Sequence, residues 1–330
     1  MAKHILGIDI SKLKFDVALA IKDGFKCKEF ENCPDGFAKL RSWLEKYGVI
    51  EDVHACMEAT SNYGDMLAHY LHDSGISVSV VNPARIKGFG QSELSRTKTD
   101  KNDAQLISRF CHAMNPDLWQ PKPVYIREMQ QWVKRAEALK RMKRQELNRR
   151  LTTIYCEISA SIDQVIAVID KELAEAKNAI KKLIRENDDL ARKSNLLESI
   201  PGIGEETISW ILAFFGKSDD FNRAKEVSAY LGLNPRQNRS GSSVRGRTRI
   251  SKMGDAALRK ALYMPAITAI RYNPVVKAFA SKLKERGKPT KVVIVAAMRK
   301  LTHIAYGILK NNQPFNSNWE QKGAYTQNVS

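Results

Sequence analysis

The sequence predicts a mixed α/β domain followed by a mostly helical remainder, and three observations carry that prediction. Up to residue 83, short apolar runs alternate with amphipathic segments, as strands and crossover helices do. From Val124 to Ile200 there is neither Gly nor Pro, which marks a long helical region. Past residue 200 the texture changes to a P-G-x-G turn, a loop of Ser, Gly and Arg, and helices rich in Lys and Ala.

Taken in order, HILGIDI (4–10), KFDVALAI (14–21) and KCKEFEN (26–32) read as three strands, and FAKLRSWLEKYG (37–48) as a helix. DVHACMEA (52–59) is a fourth strand, NYGDMLAHYLHDSG (62–75) a second helix and ISVSVVN (76–82) a fifth strand. A helix capped by Thr99 then covers roughly residues 100 to 114. A meander feeding parallel strands through crossover helices is the order of an RNase H-like domain, here residues 1–123, and other mixed sheets share it. Residues 124–194 form a helical, coiled-coil-like segment. In it Leu151, Ile154, Ile158, Ile162, Val165, Ile169, Leu173, Ala176, Ile180 and Leu183 recur at spacings of three and four, a seam suited to pairing with a second copy. Residues 195–330 make a mostly helical C-terminal domain whose last, polar stretch is expected to fray.

The 330 residues include 54 Lys plus Arg against 36 Asp plus Glu, a formal charge of +18. Such a chain attracts phosphate-rich partners or an anionic membrane surface. No stretch approaches 18 uninterrupted apolar residues, so no membrane span or signal peptide is expected and the protein reads as cytoplasmic. The five cysteines are odd in number, scattered and without a C-x-x-C pair, which argues for free thiols and against a zinc site.

Against this basic background, 96-RTKTDKNDAQLIS-108 places Asp100 and Asp103 on the stripe that continues through Ile107, Phe110 and Met114. Two inward carboxylates repel each other unless a cation relieves them. Alone they would suit an acidic first turn, but Asp9 ends the first strand and Glu58 ends the fourth. If those strands are parallel neighbours, both emerge at one carboxyl edge, and the Asp100 helix packs across it. Four hard oxygen ligands without His or Cys favour Mg²⁺ or Mn²⁺ facing a phosphodiester. GIDIS also resembles the phosphate loop of actin-like kinases, yet their second glycine-rich hairpin has no counterpart, since Asp73-Ser74-Gly75 ends a helix.

Three basic features complete the candidates. Lys140, Arg141, Lys143 and Arg144 lie on a helix able to track a phosphate backbone or simply to be solvated. PGIG (201–204) fits a helix-hairpin-helix in which Gly202 and Gly204 let N–H groups approach a phosphate, or a plain turn between packed helices. The loop 239-RSGSSVRGRTRISKMG-254 gathers Arg239, Arg245, Arg247, Arg249 and Lys252 around serines, as a phosphate clamp or as the seat of a nucleophile.

GIDISK, the EAT of 58–60, NPARIKGF (82–89), TKTDKNDA, SIPGIGEETI, SGSSVRG and LRKALYMPA occur in the order that resembles the DEDD transposases of the IS110 insertion-sequence family, relatives of the Piv invertases. The resemblance spans essentially the whole chain; Ser61 departs from it where glycine is usual. It implies a RuvC-like RNase H fold whose acidic set is Asp9, Glu58, Asp100 and Asp103, and a nucleophilic serine matched by Ser240. It further implies covalent phosphoserine links to donor and target double-stranded DNA, a noncoding bridge RNA as guide, and dimers that assemble into tetramers at the nucleoid. A metal-dependent junction nuclease and a non-catalytic DNA-binding protein on a degenerate nuclease fold are the competing expectations.

Overall fold

A computed structural model of the chain describes residues 4–59, 63–93, 100–216, 221–236, 239–240, 244–245 and 249–317, with backbone alone at 100–101, 239–240 and 244–245. Thr99, Ser61, Ser242, Ser243 and Arg247 lie outside the described residues. The chain divides into two compact units, Met1–Lys122 and Pro123–Ser330.

In the first unit five strands, β1 (His4–Ile10), β2 (Lys14–Ile21), β3 (Gly24–Glu31), β4 (Val53–Glu58) and β5 (Ser77–Val81), form one sheet in the order β3-β2-β1-β4-β5. β2 pairs antiparallel with both β1 and β3, whereas β1, β4 and β5 run parallel. Alternation along the strands sends Leu6, Ile8, Val17, Leu19, Ala55 and Met57 to one face, under α1 (Pro34–Glu45) and α2 (Asp65–Asp73). Cys56 and Val81 point to the other, under α3 (Pro83–Ser92) and α4 (Asp100–Met114). The helix α3 is additional to the elements read from sequence; the Asn82 side chain caps it by accepting from the Ala84 N–H at 2.9 Å, with Pro83 at its first position.

Gly7 sets how closely α4 approaches the sheet. A Cβ on Gly7 would lie 2.1 Å from the Ala104 carbonyl oxygen and 2.4 Å from the Ser108 nitrogen, so only glycine admits the helix backbone at this distance. The Ser108 hydroxyl reaches the Ile5 carbonyl at 3.5 Å. As α4 advances from Ala104 to Ser108 it therefore moves back along β1 from Gly7 towards Ile5. Its first turn lies at the opposite end, beside Asp9.

The Gly- and Pro-free region of the second unit is three helices, α5 (Val124–Thr152), α6 (Cys156–Glu186) and α7 (Asp188–Glu198). Thr153 turns to extended backbone after α5, and the Asn187 side chain caps α7 by accepting from the Leu190 N–H. β-Branched and short amide side chains thus break the helix where Gly and Pro are absent. Lys143 pairs with Asp170, and Arg150 with Asp163, so α5 and α6 run antiparallel as a hairpin. This corrects the seam: Ile169, Ala176 and Ile180 are buried, but Leu151 and Ile154 are 84% and 85% exposed at the hairpin end. Met114, likewise, is exposed and lies off the inward stripe of α4.

Beyond the hairpin, α8 (Glu205–Phe215), α9 (Ala224–Tyr230), α10 (Ala256–Tyr272), α11 (Pro274–Glu285) and α12 (Thr290–Asn311) complete the unit. Nearly every residue of α8 is buried. Among the described residues α12 is the one helix long and apolar enough to cross a membrane, but 61% of its most apolar window is buried in the core of this unit. On its flank His303 shares a 2.7 Å hydrogen bond with Ser228. Burial, then the charges of Arg299, Lys300 and Lys225, bring the His303 imidazole from 6.5 down to about 4.

Two outcomes follow. Gly7→Ala must push α4 off the sheet, costing about 3 kcal/mol, and hydrogen exchange of the β1 amides should accelerate; unchanged protection would show that the close approach is not required. For His303 the unfolded chain takes up the proton first on acidification, so its contribution is complete above pH 6.5 and lost as the pH falls towards 4. His303→Gln should flatten the melting temperature across that window, and a profile identical to wild type would refute it.

Candidate active site

The carboxylates are placed by strand register. Ile8 stands opposite Met57 on the parallel pair β1 and β4, so one residue further on Asp9 is level with Glu58. Adjacent strands lie about 4.8 Å apart. Asp9 shares its strand face with Gly7, and Glu58 shares its face with Cys56; both faces look towards α4. The first turn of α4 runs from Asp100 to Asp103 at this same edge. Asp9, Glu58 and Asp103 are half-buried; the Asp100 side chain lies outside the description.

Asp16 is not among the candidates read from sequence, yet it stands directly opposite Asp9 on β2 and therefore on the same face. It is half-buried, 4.0 Å from the Lys14 ammonium. The alternation in KFDV already put Asp16 on the polar face, but strand pairing was needed to bring it beside Asp9. Asp9, Asp16, Glu58 and Asp103 thus bring oxygen donors to this edge, the chemistry that suits a hard divalent cation. Among the described residues no three His, Cys, Asp or Glu side chains are gathered closely enough to hold a metal. Among the described residues the convergence is one of backbone positions around an edge.

In the second unit, two of the four cations proposed on α5 are engaged inside the protein. Lys140 pairs with Glu206, and Lys143 with Asp170 at 2.5 Å, while Arg141 and Arg144 are exposed. In the PGIG turn Gly202 has φ +100°, and a Cβ there would lie 2.8 Å from the Ala269 backbone. The Asn273 side-chain amide donates to the Pro201 carbonyl at 3.3 Å. Gly202 therefore serves the docking of this turn on α10. Gly204 faces open space at the start of α8, whose first turn carries Glu205 and Glu206, paired with Lys181 and Lys140. Those carboxylates offset the pull of the helix N-terminus on a phosphate.

The serine-rich segment is a nested hairpin. β6 (Pro235–Arg236) pairs antiparallel with β9 (Arg249–Ile250), and β7 (Arg239–Ser240) with β8 (Val244–Arg245). Ser240 is opposite Val244, immediately before residues 241–243. Arg249 and Lys252 are exposed along the outer part of the segment. One Arg259 nitrogen, on α10, donates to the carbonyls of Leu231 at 3.0 Å and Gly254 at 2.9 Å. It ties together both ends of the segment that carries Ser240. Arg259 belongs to LRKALYMPA but has no local sequence signal for this role.

Comparison with known proteins places these features in a family. A DEDD transposase model of IS110 type matches residues 6–155, and a model described as the transposase IS116/IS110/IS902 family matches residues 194–281. Over 319 residues the chain is 34% identical to the pilin gene-inverting protein of Moraxella bovis, covering 96% of this chain and 98% of that protein. The pilin gene-inverting protein of Moraxella lacunata matches to the same extent. The transposase for insertion sequence element IS1111A of Coxiella burnetii is 26% identical over 232 residues, or 60% of this chain and 61% of that one.

Mg²⁺ or Mn²⁺ at a hundredfold excess over its dissociation constant should stabilise the first unit by about 2.7 kcal/mol. Asp9→Asn and Glu58→Gln should each remove that gain, read as loss of the metal-induced rise in melting temperature. A wild-type melting curve insensitive to both metals would sink this assignment.

Proposed function

The chain belongs to the IS110 family of DEDD transposases and is a DNA transposase or recombinase, and from that premise we propose how its two units divide the chemistry. The first unit is read as an RNase H-like, RuvC-like domain. The sheet order with its antiparallel β3-β2-β1 half and parallel β1-β4-β5 half supports that reading. The remainder is read as a helical hairpin segment and a C-terminal transposase domain.

The family points to a divalent metal. We assign its ligands to Asp9, Glu58, Asp100 and Asp103, with Asp16 next to Asp9, and its identity to Mg²⁺ or Mn²⁺. The observation that carries this assignment is the level placement of Asp9 and Glu58 at the edge where α4 begins. When bound, such an ion polarises a phosphodiester and neutralises its oxygens. The protein's own part is to hold these carboxylates on two rigid strands and one helix.

Ser240 is proposed as the nucleophile. Its hydroxyl oxygen attacks phosphorus, the sugar oxygen departs with a proton, and a phosphoserine bond keeps the energy of the broken link. A sugar hydroxyl from the exchanged strand then attacks the phosphoserine and releases Ser240 unchanged. Arg239, Arg245, Arg247 and Arg249 supply positive charge for the phosphate oxygens. Arg141, Arg144 and Lys252 extend the reach to flanking phosphates, and the net charge of +18 favours double-stranded DNA and a noncoding guide RNA as partners. A homodimer that assembles to a tetramer, at the nucleoid, completes the proposal.

A junction nuclease with the same carboxylates would use water and leave no adduct. Ser240→Ala is expected to keep DNA binding, to lower strand exchange by at least about 10³-fold and to abolish the covalent species. The assay denatures the reaction in detergent, follows labelled DNA migrating with protein and maps the attached peptide. Cleavage by wild type with no trappable adduct, or an adduct away from Ser240, overturns the serine mechanism and leaves the nuclease.

A further inference from the structure

All five cysteines are free thiols, and two of them meet inside the first unit. Cys56 and Cys111 are 0% and 1% exposed and belong to one buried cluster between the sheet and α4. Cys56 lies on β4, on the α4 side and two residues before Glu58; Cys111 lies on α4, just over two turns beyond Asp103. Neither is used by the chemistry described above.

A third group gives the pair a direction. His54, on the same strand face as Cys56, holds Nδ1 3.6 Å from the Cys111 sulfur. Its Nε2 is 2.8 Å from the Ser79 hydroxyl, which donates to the Asp117 carbonyl at 2.8 Å, with the Pro116 carbonyl at 3.1 Å. Serine has one hydrogen to give. Because it goes to a carbonyl, the hydrogen between His54 and Ser79 must be the imidazole's, on Nε2. Nδ1 is then bare and faces Cys111 as an acceptor. Cys111 therefore has a base in His54, and Cys56 stands in the same buried cluster as a second thiol. Consistently, the Cys56 thiol outweighs the opposing effect of burial, and with His54 it brings the Cys111 thiol down to about 6.

We propose that Cys56 and Cys111 are a reactive dithiol, a modification site at which a small peroxide closes a disulfide between β4 and α4. Cys111 passes its proton to His54 Nδ1 and its sulfur attacks one peroxide oxygen. The O–O bond breaks, Cys111 becomes a sulfenic acid, and the hydroxide released takes the proton back from His54 as water. The Cys56 sulfur then attacks the Cys111 sulfur. The S–O bond breaks, and the expelled hydroxide leaves as a second water with the Cys56 proton. Two thiols and one hydrogen peroxide give one disulfide and two waters, the sulfurs losing the two electrons that the peroxide gains. Burial of both thiols restricts the reagent to one that is small and neutral. This site is independent of whether Ser240 is the nucleophile.

The test treats the full chain with hydrogen peroxide, unfolds it, blocks remaining thiols with N-ethylmaleimide and maps peptides by mass spectrometry. A Cys56–Cys111 linked peptide two hydrogens lighter than the reduced pair, and lost on treatment with a phosphine reductant, is the expected result. Cys56→Ser should leave a Cys111 sulfenic acid that dimedone traps, and His54→Gln should slow closure on the order of tenfold without changing the product. Recovery of Cys56 and Cys111 both alkylated, while exposed Cys156 is oxidised, overturns the proposal, as does a wild-type adduct that pairs either cysteine with another residue.

Discussion

The first unit depends on one close approach, that of the α4 backbone to β1 at Gly7. Layers packed through ordinary side chains are held apart by them, as stacked sheets are by about 10 Å; here the missing Cβ lets carbonyl and amide atoms of α4 occupy the space a side chain would fill. That contact fixes height and direction together. Height brings the first turn of α4 down to the carboxyl edge, and direction places that turn at the Asp9 end of β1 instead of the Ile5 end. The strand register then brings Glu58 level with Asp9. Three separate pieces of chain reach one edge because of a position that carries no side chain.

The parts of this arrangement legible in sequence were those with a strong period. Alternation in HILGIDI and DVHACMEA gave both strands and the faces of Asp9 and Glu58. The helix α3 was hidden because Gly88 and Gly90 weaken its propensity, although Asn82-Pro83 is a start signal. Asp16 was hidden for another reason: alternation states which face a residue occupies, while its neighbour across the strand pair is set by register. The apolar seam shows the same limit, since spacing identifies an apolar face but neither its cover, which is α5 over the buried part of α6, nor the turn that leaves Leu151 at the end of α5 and Ile154 beyond it exposed. The serine hairpin had no period to read. Its strands are two residues long and rich in Arg, and its ends are held by a guanidinium that follows it on α10.

Charge is distributed less evenly than the net figure suggests. On α5 and α6 cations meet carboxylates across the hairpin, in Lys143–Asp170 and Arg150–Asp163, and Lys140 and Lys181 meet the first turn of α8. Such exposed pairs each contribute little to stability, about 0 to 1 kcal/mol, but they orient the cations and remove part of their pull on a distant phosphate. The positive field available to nucleic acid is therefore concentrated in exposed groups such as Arg141, Arg144, Arg249 and Lys252.

The clamp of Arg259 on Leu231 and Gly254 also defines a tether. One guanidinium nitrogen holds both carbonyls, so the two ends of the segment are released together or not at all; without it, closure passes to backbone hydrogen bonds, from Ser251 N–H to the Asn234 carbonyl and from Lys252 N–H to the Gly232 carbonyl, and to the two-residue pair β6–β9.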